Sequence, residues 1–241
     1  MIEVFKGIKL LSGINTHPGS GPPDNHKYEY KLFKRHLRFI RNRNNPTMLE
    51  IGSFWGLWSL VFRKKFPNGK NLLVELGKRQ LSVGEKNFEL NGFNQISYWG
   101  GFFLNDSGTY LNRKNDLEYP KVEGEYFDES IDNDNVVGPE LDLNNILKNE
   151  KVDHLDLLHM DIQGSELKVI EYIFNSEFKI NIDNFIIATH SDEIHNQIKS
   201  IISNSYHIVK EDEGVGGDGL LCLTKKNNFS TFKFLTKKYI L

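Results

Sequence analysis

Thr47-Met48-Leu49-Glu50-Ile51-Gly52-Ser53-Phe54-Trp55-Gly56-Leu57-Trp58-Ser59-Leu60-Val61-Phe62 is the stretch on which the fold of this chain turns. Thr47 to Ile51 is a short apolar run of the kind that a parallel strand buried on both faces requires. Gly52 and Gly56 break it, and a helical pattern resumes at once. A backbone that must approach a ligand needs glycine, because any Cβ would stand in the way. About twenty residues further on, a second apolar run, Asn71-Leu72-Leu73-Val74-Glu75, also ends in a carboxylate. Strand, glycine turn, helix, strand and acid together make a nucleoside pocket at the carboxyl edge of a parallel sheet. Glu75 then stands where a ribose diol can be held.

The same alternation extends outward. Helices are expected over 55–66 and 78–91, the second ending at the Asn91-Gly92 cap signal. A third strand is expected from Gln95 to Phe103, a short helix from Leu143 and a fourth strand from Leu155 to Met160. A helix over Gly164 to Phe174, a strand over Asn184 to Thr189 and a helix over Glu193 to Ser203 follow. Tyr206 to Val209 and Leu220 to Thr224 close the sheet as an antiparallel hairpin across the glycine-rich run 211–219. The sum is an α/β, Rossmann-like, doubly wound sheet of about seven strands with a closing antiparallel hairpin. Upstream, Lys27 to Arg43 reads as a helix with Leu32, Phe33, His36, Leu37 and Ile40 on one side. Lys31, Lys34, Arg35, Arg38 and Arg41 line its other side, either as a solvated face or as a surface for an anionic substrate. His17-Pro18-Gly19-Ser20-Gly21-Pro22-Pro23 must be loop. The long segment 105–138 holds an acidic stretch, Glu123 to Asp134. It reads either as a solvated loop or as an active-site cover or added hairpin. Three parts are expected: 1–46, a loop-and-helix extension and candidate substrate cover; 47–225, the catalytic domain; and 226–241, a basic and aromatic tail.

A chain of 241 residues can bury one large core. Its formal charge of −2 does not favour nucleic acid as a partner. No apolar run approaches the roughly 20 residues of a membrane span, and the start lacks a signal-peptide pattern. A single cysteine, Cys222, set among Leu220, Leu221 and Leu223, excludes a disulfide framework and a multi-cysteine zinc site. The expected setting is a reducing cytoplasm.

Four strands end in Glu50, Glu75, Asp161 and His190, all on the edge where such sheets bind ligands. Glu50 occupies the place of the first glycine in a dinucleotide fingerprint. An acid there would repel a pyrophosphate and suits a cationic ligand, so S-adenosylmethionine fits and NAD does not. A purely structural glycine turn is the alternative. Asp161 opens His159-Met160-Asp161-Ile162-Gln163-Gly164-Ser165-Glu166 after a strand. It is either a helix cap or the group that takes a proton from, or orients, a substrate nucleophile. His190 is either a satisfied polar residue or a base near neutral pH. A divalent ion on Asp161, His190 and a loop acid is weighed, but no metal is predicted.

These residues resemble the FkbM-type S-adenosylmethionine-dependent methyltransferases over about 47–210. Leu49 to Gly56 is similar to their first motif, where Asp usually stands at the place of Glu50. Leu73-Val74-Glu75 with Asn87 to Gly92 resembles the second. Gly138 to Asp142 with Val152 to Glu166 resembles the most characteristic segment, which carries the equivalents of Asp161, Gly164 and Glu166. Ile187-Ala188-Thr189-His190 is similar to a strand that usually has an acid at the place of Ala188. Gln163 likewise stands where a Glu is usual. The resemblance implies the class I methyltransferase architecture and methyl transfer to oxygen on a sugar or small metabolite. The same fold also serves N-methylation, and a non-catalytic nucleoside-binding subunit is the rival of a different class.

The expected cofactor residues are Glu50, Gly52, Ser53, Trp55 and Gly56 around the amino-acid end, Glu75 at the ribose and Gly100 beside adenine. Asp161 and His190 are the expected catalytic pair. The expected partner is a small-molecule or saccharide acceptor, with no nucleic acid or membrane and with a homodimer left open.

Overall fold

The computed structural model describes residues 1–5, 7–11, 27–42, 44–102, 139–175, 180–212 and 219–227. In chain order the elements begin with a hairpin, β1 (Ile2–Phe5) and β2 (Ile8–Leu10), then α1 (Lys27–His36) and a 3₁₀ turn over Leu37–Phe39. The alternating part follows as β3 (Thr47–Ile51), α2 (Leu57–Lys65), β4 (Lys70–Glu75), α3 (Lys78–Leu90) and β5 (Ile96–Trp99). It continues as α4 (Leu143–Asn149), β6 (His154–Leu155), β7 (Leu157–Met160), α5 (Glu166–Asn175), β8 (Asn181–Ile182) and β9 (Asn184–Thr189). It closes with α6 (Asp192–Ile202), β10 (Tyr206–Asp212) and β11 (Gly219–Lys225).

Seven strands form one sheet in the order β10-β11-β9-β7-β3-β4-β5. β5, β4, β3, β7 and β9 run parallel, and β11 and β10 are antiparallel additions at one edge. The strand order reverses at β3, which has β4 on one side and β7 on the other. A crevice therefore opens beyond the carboxyl ends of β3 and β7, where open α/β sheets take ligands.

Alternate residues of each strand feed two cores. Leu49, Ile51, Leu72, Val74, Leu158 and Met160 face one side, with Ile146, Val169, Ile170 and Ile198 from α4, α5 and α6. Met48, Leu73, Leu157, Ile186 and Cys222 face the other, with Phe33 from α1, Leu60 and Phe62 from α2, and Phe88 from α3. Cys222 is buried, and burial pushes its thiol up to about 12, so it is inert core.

The parallel strands and their helices fall within a few residues of the expected positions. The differences have local causes. The first helix stops at His36 rather than Arg43. Asn42 folds the chain into a turn by accepting from the amides of Asn44 and Asn45 and donating to the Asn45 carbonyl. The third strand stops at Trp99 because Gly100 takes φ +146°. The fourth starts at Leu157, while 154–155 diverges to pair with β8. The hairpin β1–β2, turning at Gly7 with φ +77°, had no periodic signal. Phe5, Ile8 and Leu10 enter the second core, and Asn87 of α3 and Asn91 at its C-cap accept from the amides of Leu11 and Lys9. The expected loop over 17–23, the cover or hairpin over 105–138, the tip of the glycine-rich loop and the tail from 228 lie outside the described residues. Among the described residues, no helix is long and apolar enough to cross a membrane.

Leu158 is fully buried on a central strand. Leu158→Ala should cost about 2–5 kcal/mol of unfolding free energy, read as a lower urea midpoint with an unchanged slope.

Candidate active site

Three left-handed residues shape the turn after β3: Gly52 (φ +76°), Phe54 (φ +47°) and Gly56 (φ +72°). The amides of Gly52 and Ser53 both donate to the Val74 carbonyl, at 2.9 and 3.0 Å, and the Gly56 amide returns to the Ser53 carbonyl at 2.7 Å. A Cβ on Gly52 would stand 1.9 Å from the Asp161 carbonyl oxygen. The turn and the end of β7 are thus in direct backbone contact.

Glu75 is held under this turn. One carboxylate oxygen accepts from the Phe54 amide at 2.7 Å and the other from the Gly77 amide at 2.9 Å. The group is 8% exposed. Burial raises its carboxyl to about 7 against the pull of the backbone amides, with nearby Asp161 adding to the rise. Each oxygen keeps acceptor capacity for a further donor. The Ser53 hydroxyl, in the same turn, is buried and finds no hydrogen-bond partner among the described residues. An orphaned hydroxyl and a pre-oriented carboxylate beside a tight glycine turn suit a nucleoside that carries a polar amino-acid arm.

Other expected residues stand elsewhere. Glu50 is 1% exposed and shares the helix-facing side of β3 with Met48. Its carboxylate accepts from the Ser59 amide in the first turn of α2 at 3.1 Å and approaches His159 Nδ1 at 3.3 Å. It is an anchor beneath the turn, and it fills the anion seat that the start of α2 would otherwise offer. Trp55 is buried against Val83 and stacked on Phe54, and its carbonyl accepts from Asn87 Nδ2. Gly56 packs against Phe88 and Leu73, so it too serves the core. Gly100 donates to the Glu75 carbonyl, and a Cβ there would stand 2.4 Å from the Pro139 carbonyl oxygen. That glycine lets residues 139–141 close on the end of β5.

Asp161 and His190 do come together. His190 Nε2 lies 3.3 Å from Asp161 Oδ1, and His190 Nδ1 lies 2.8 Å from Glu166 Oε1. Glu166 is fully buried and accepts from the amides of Ile162 and Gly164 as well. Gln163, itself left-handed at φ +55°, donates to Asp161 Oδ1 at 3.3 Å. Burial alone would lower the His190 pKa. The hydrogen bonds and charges of Asp161 and Glu166 outweigh it and raise the imidazole to about 10. His190 is therefore a fixed cation at neutral pH, in contrast to the free base considered from sequence. Asp161, Glu166 and His190 offer ligand atoms within 4.8 Å of one another, a spacing that a metal ion could use. Here each ring nitrogen faces a different carboxylate, an arrangement that suits a doubly bonded imidazolium. Glu166 was visible only through the family resemblance. Phe54 and His159 were not singled out, since a backbone amide and a buried ring partner carry no sequence signal.

A switch-point crevice with a glycine turn, a second-strand carboxylate and an acid after the fourth parallel strand defines the class I methyltransferase architecture. The methyltransferase FkbM domain model matches residues 54–209, and the chain belongs to that family of methyltransferases. No curated protein sequence matches it. Among solved structures it is similar to the O-methyltransferase of Bacillus cereus in complex with S-adenosylhomocysteine, at 13% identity, TM-score 0.54, and 87% and 84% coverage of the two chains. The O-methyltransferase TomG of Streptomyces achromogenes with S-adenosylmethionine matches at 13% identity, TM-score 0.50, and 82% and 79% coverage. The METTL16 methyltransferase domain matches at 11% identity, TM-score 0.50, and 87% and 70% coverage. Identities this low show the shared fold.

The raised His190 pKa has a stability consequence with a definite sign. The ion pairing contributes fully below its ordinary value of 6.5 and is lost as pH rises through about 10. Urea unfolding of wild type and His190→Gln should show a constant gap at pH 6 and below that narrows toward pH 10.

Proposed function

We propose that this protein transfers a methyl group from S-adenosylmethionine to a hydroxyl of a sugar or another small metabolite. The observation that supports the reading is the contact between Gly52 and the Asp161 carbonyl, which brings the glycine turn after β3 against the end of β7. When bound, S-adenosylmethionine supplies an electrophilic methyl carbon on a sulfonium that departs as a neutral thioether. Glu75 would accept the ribose hydroxyls, and the buried Ser53 hydroxyl would meet the amino-acid arm. Glu50 would act from beneath, by holding the start of α2. Gly100 would shape the adenine side by letting 139–141 close on the end of β5.

Asp161, with about a third of its side chain exposed, is the group an acceptor can reach. It would accept the hydrogen bond of the acceptor hydroxyl and so aim an oxygen lone pair at the methyl carbon. Bonding to the methyl carbon would make the hydroxyl proton acidic, and the Asp161 carboxylate would take it. His190 holds Asp161 in place, and buried Glu166 holds His190. This chain of support matters because the carboxylate sits on a loop end, where an unsupported side chain would lose the in-line approach. Two structural neighbours being O-methyltransferases is in keeping with this reading, as is the family resemblance. A cytoplasmic setting accords with the single buried thiol.

Two outcomes test it. Ligand hydroxyls stabilise the charged form of Glu75, so affinity for S-adenosylhomocysteine should rise with pH through about 7. Glu75→Gln should flatten that dependence in titration calorimetry, and Glu75→Ala should weaken binding more than about tenfold. A pH-independent affinity in the wild type would remove Glu75 from the ribose. Separately, Asp161→Asn should depress turnover about a hundredfold or more with an acceptor found by screening sugars, while cofactor affinity and melting temperature hold. Undiminished turnover would discard Asp161 as the proton acceptor.

A further inference from the structure

The formal charge of −2 conceals a local excess of cations. Residues 27–43 carry seven Lys and Arg against one acid, Glu29, so the rest of the chain is strongly acidic. Lys31, Lys34, Arg35 and Arg38 stand at i, i+3, i+4 and i+7 and share one exposed face of α1 and its 3₁₀ extension. The opposite face, with Phe33 and Leu37, is buried in the second core. Lys65, the last residue of α2, is also exposed. These five cations and half-buried Tyr30 line one concavity of about 620 Å³, with no carboxylate lining it among the described residues. The Tyr30 ring is held against Phe5, with centroids 4.0 Å apart and planes 9° from parallel, and Lys34 Nζ lies 5.5 Å from its centre.

Lys31, Lys34 and Arg35 stand close together on one exposed helix face, and a bound anion relieves their mutual repulsion. The volume is that of a small-molecule site. Outside residues 27–43 the chain carries 23 Lys and Arg against 31 Asp and Glu, a balance that disfavours an extended polyanion. Arginine forks and lysine point charges are the groups that grip phosphate oxygens, and a fixed tyrosine ring offers a face to a flat ring. We propose that this groove binds a small ligand carrying a diphosphate or triphosphate group. Lys65 lies at the end of α2 away from the Gly52–Gly56 turn, so the groove is separate from the methyl-transfer crevice. The proposal does not rest on the reaction assigned there.

The test is titration calorimetry of the full chain with inorganic pyrophosphate, inorganic tripolyphosphate and adenosine diphosphate, at about 0.15 M salt where surface fields are screened. Micromolar binding of at least one of these, weakened about tenfold or more in Lys34→Ala/Arg35→Ala, is the expected result. Both changes put a good helix former on an exposed helical face, and S-adenosylhomocysteine affinity should stay at the wild-type value in the same variant. That unchanged affinity also distinguishes failure of this site from failure of the methyltransferase reading. Tighter binding of adenosine diphosphate than of pyrophosphate would point to a nucleoside-bearing ligand, and equal binding to a phosphate-only ligand; either supports the site. The proposal is overturned if none of the three binds at millimolar concentration, or if the double variant binds as wild type does. It is equally overturned if a single-stranded RNA oligonucleotide or anionic phospholipid vesicles bind more tightly than tripolyphosphate and lose that binding in the variant.

Discussion

Gly52 has no side chain because the carbonyl of Asp161 occupies the place where one would stand. Around that contact three strand ends are laced together. The amides of Gly52 and Ser53 bond to the Val74 carbonyl of β4, and the Asp161 amide bonds to the Ile51 carbonyl of β3. The lacing sets the distance between the turn that would meet the cofactor and the carboxylate that would meet the acceptor. A residue larger than glycine would have to push β3 and β7 apart at their carboxyl ends, which would disturb both halves of the crevice at once. The glycine is therefore as much a spacer between two sites as a gap for a ligand.

Two titratable groups near that contact are displaced in ways that suit different tasks. Glu75 and His190 are both poorly hydrated, and burial acts on each against its charged form. For Glu75 burial wins, since the backbone amides of Gly77, Phe54 and Leu76 only partly replace water, and the carboxyl rises to about 7. Its charge is then readily completed by a ligand with hydroxyl donors. For His190 burial loses, since two carboxylates bracket the ring, and the imidazolium persists to about 10. The first group is left responsive to a ligand, and the second is locked as scaffolding.

The core of the fold was legible because strands buried on both faces read as unbroken apolar runs between turn residues. Thr47–Ile51 and Asn184–Thr189 appear where their composition places them, and the strand-end acids mark the crevice. The hairpin of residues 2–10 was illegible because its strands are too short to show a period, and its buried Phe5 and Ile8 gain their burial only from distant helices. The direction of Glu50 could be read in part. The two-residue period of a strand puts it on the same face as Met48, beneath α2, and not toward the ligand. The protonation of His190 could not be read, because it depends on Glu166, twenty-four residues away and fully buried.

The place of Glu50 changes the reason for an inference without reversing it. From sequence, an acid at this position argues against a dinucleotide because it would repel pyrophosphate. In the fold its carboxylate does not face the crevice; it sits at the start of α2 and takes the Ser59 amide. A helix start whose free amides and positive dipole would attract phosphate is thus already served by an internal anion. The carboxylates of Glu75 and Asp161, meanwhile, line the crevice side. A ligand entering there would meet acceptors and negative charge, since the His190 imidazolium is already bracketed by Asp161 and Glu166. That field favours a cationic sulfonium bearing a ribose diol over a phosphate-linked nucleoside. The cations of α1 lie on another surface, around the groove that Lys65 closes.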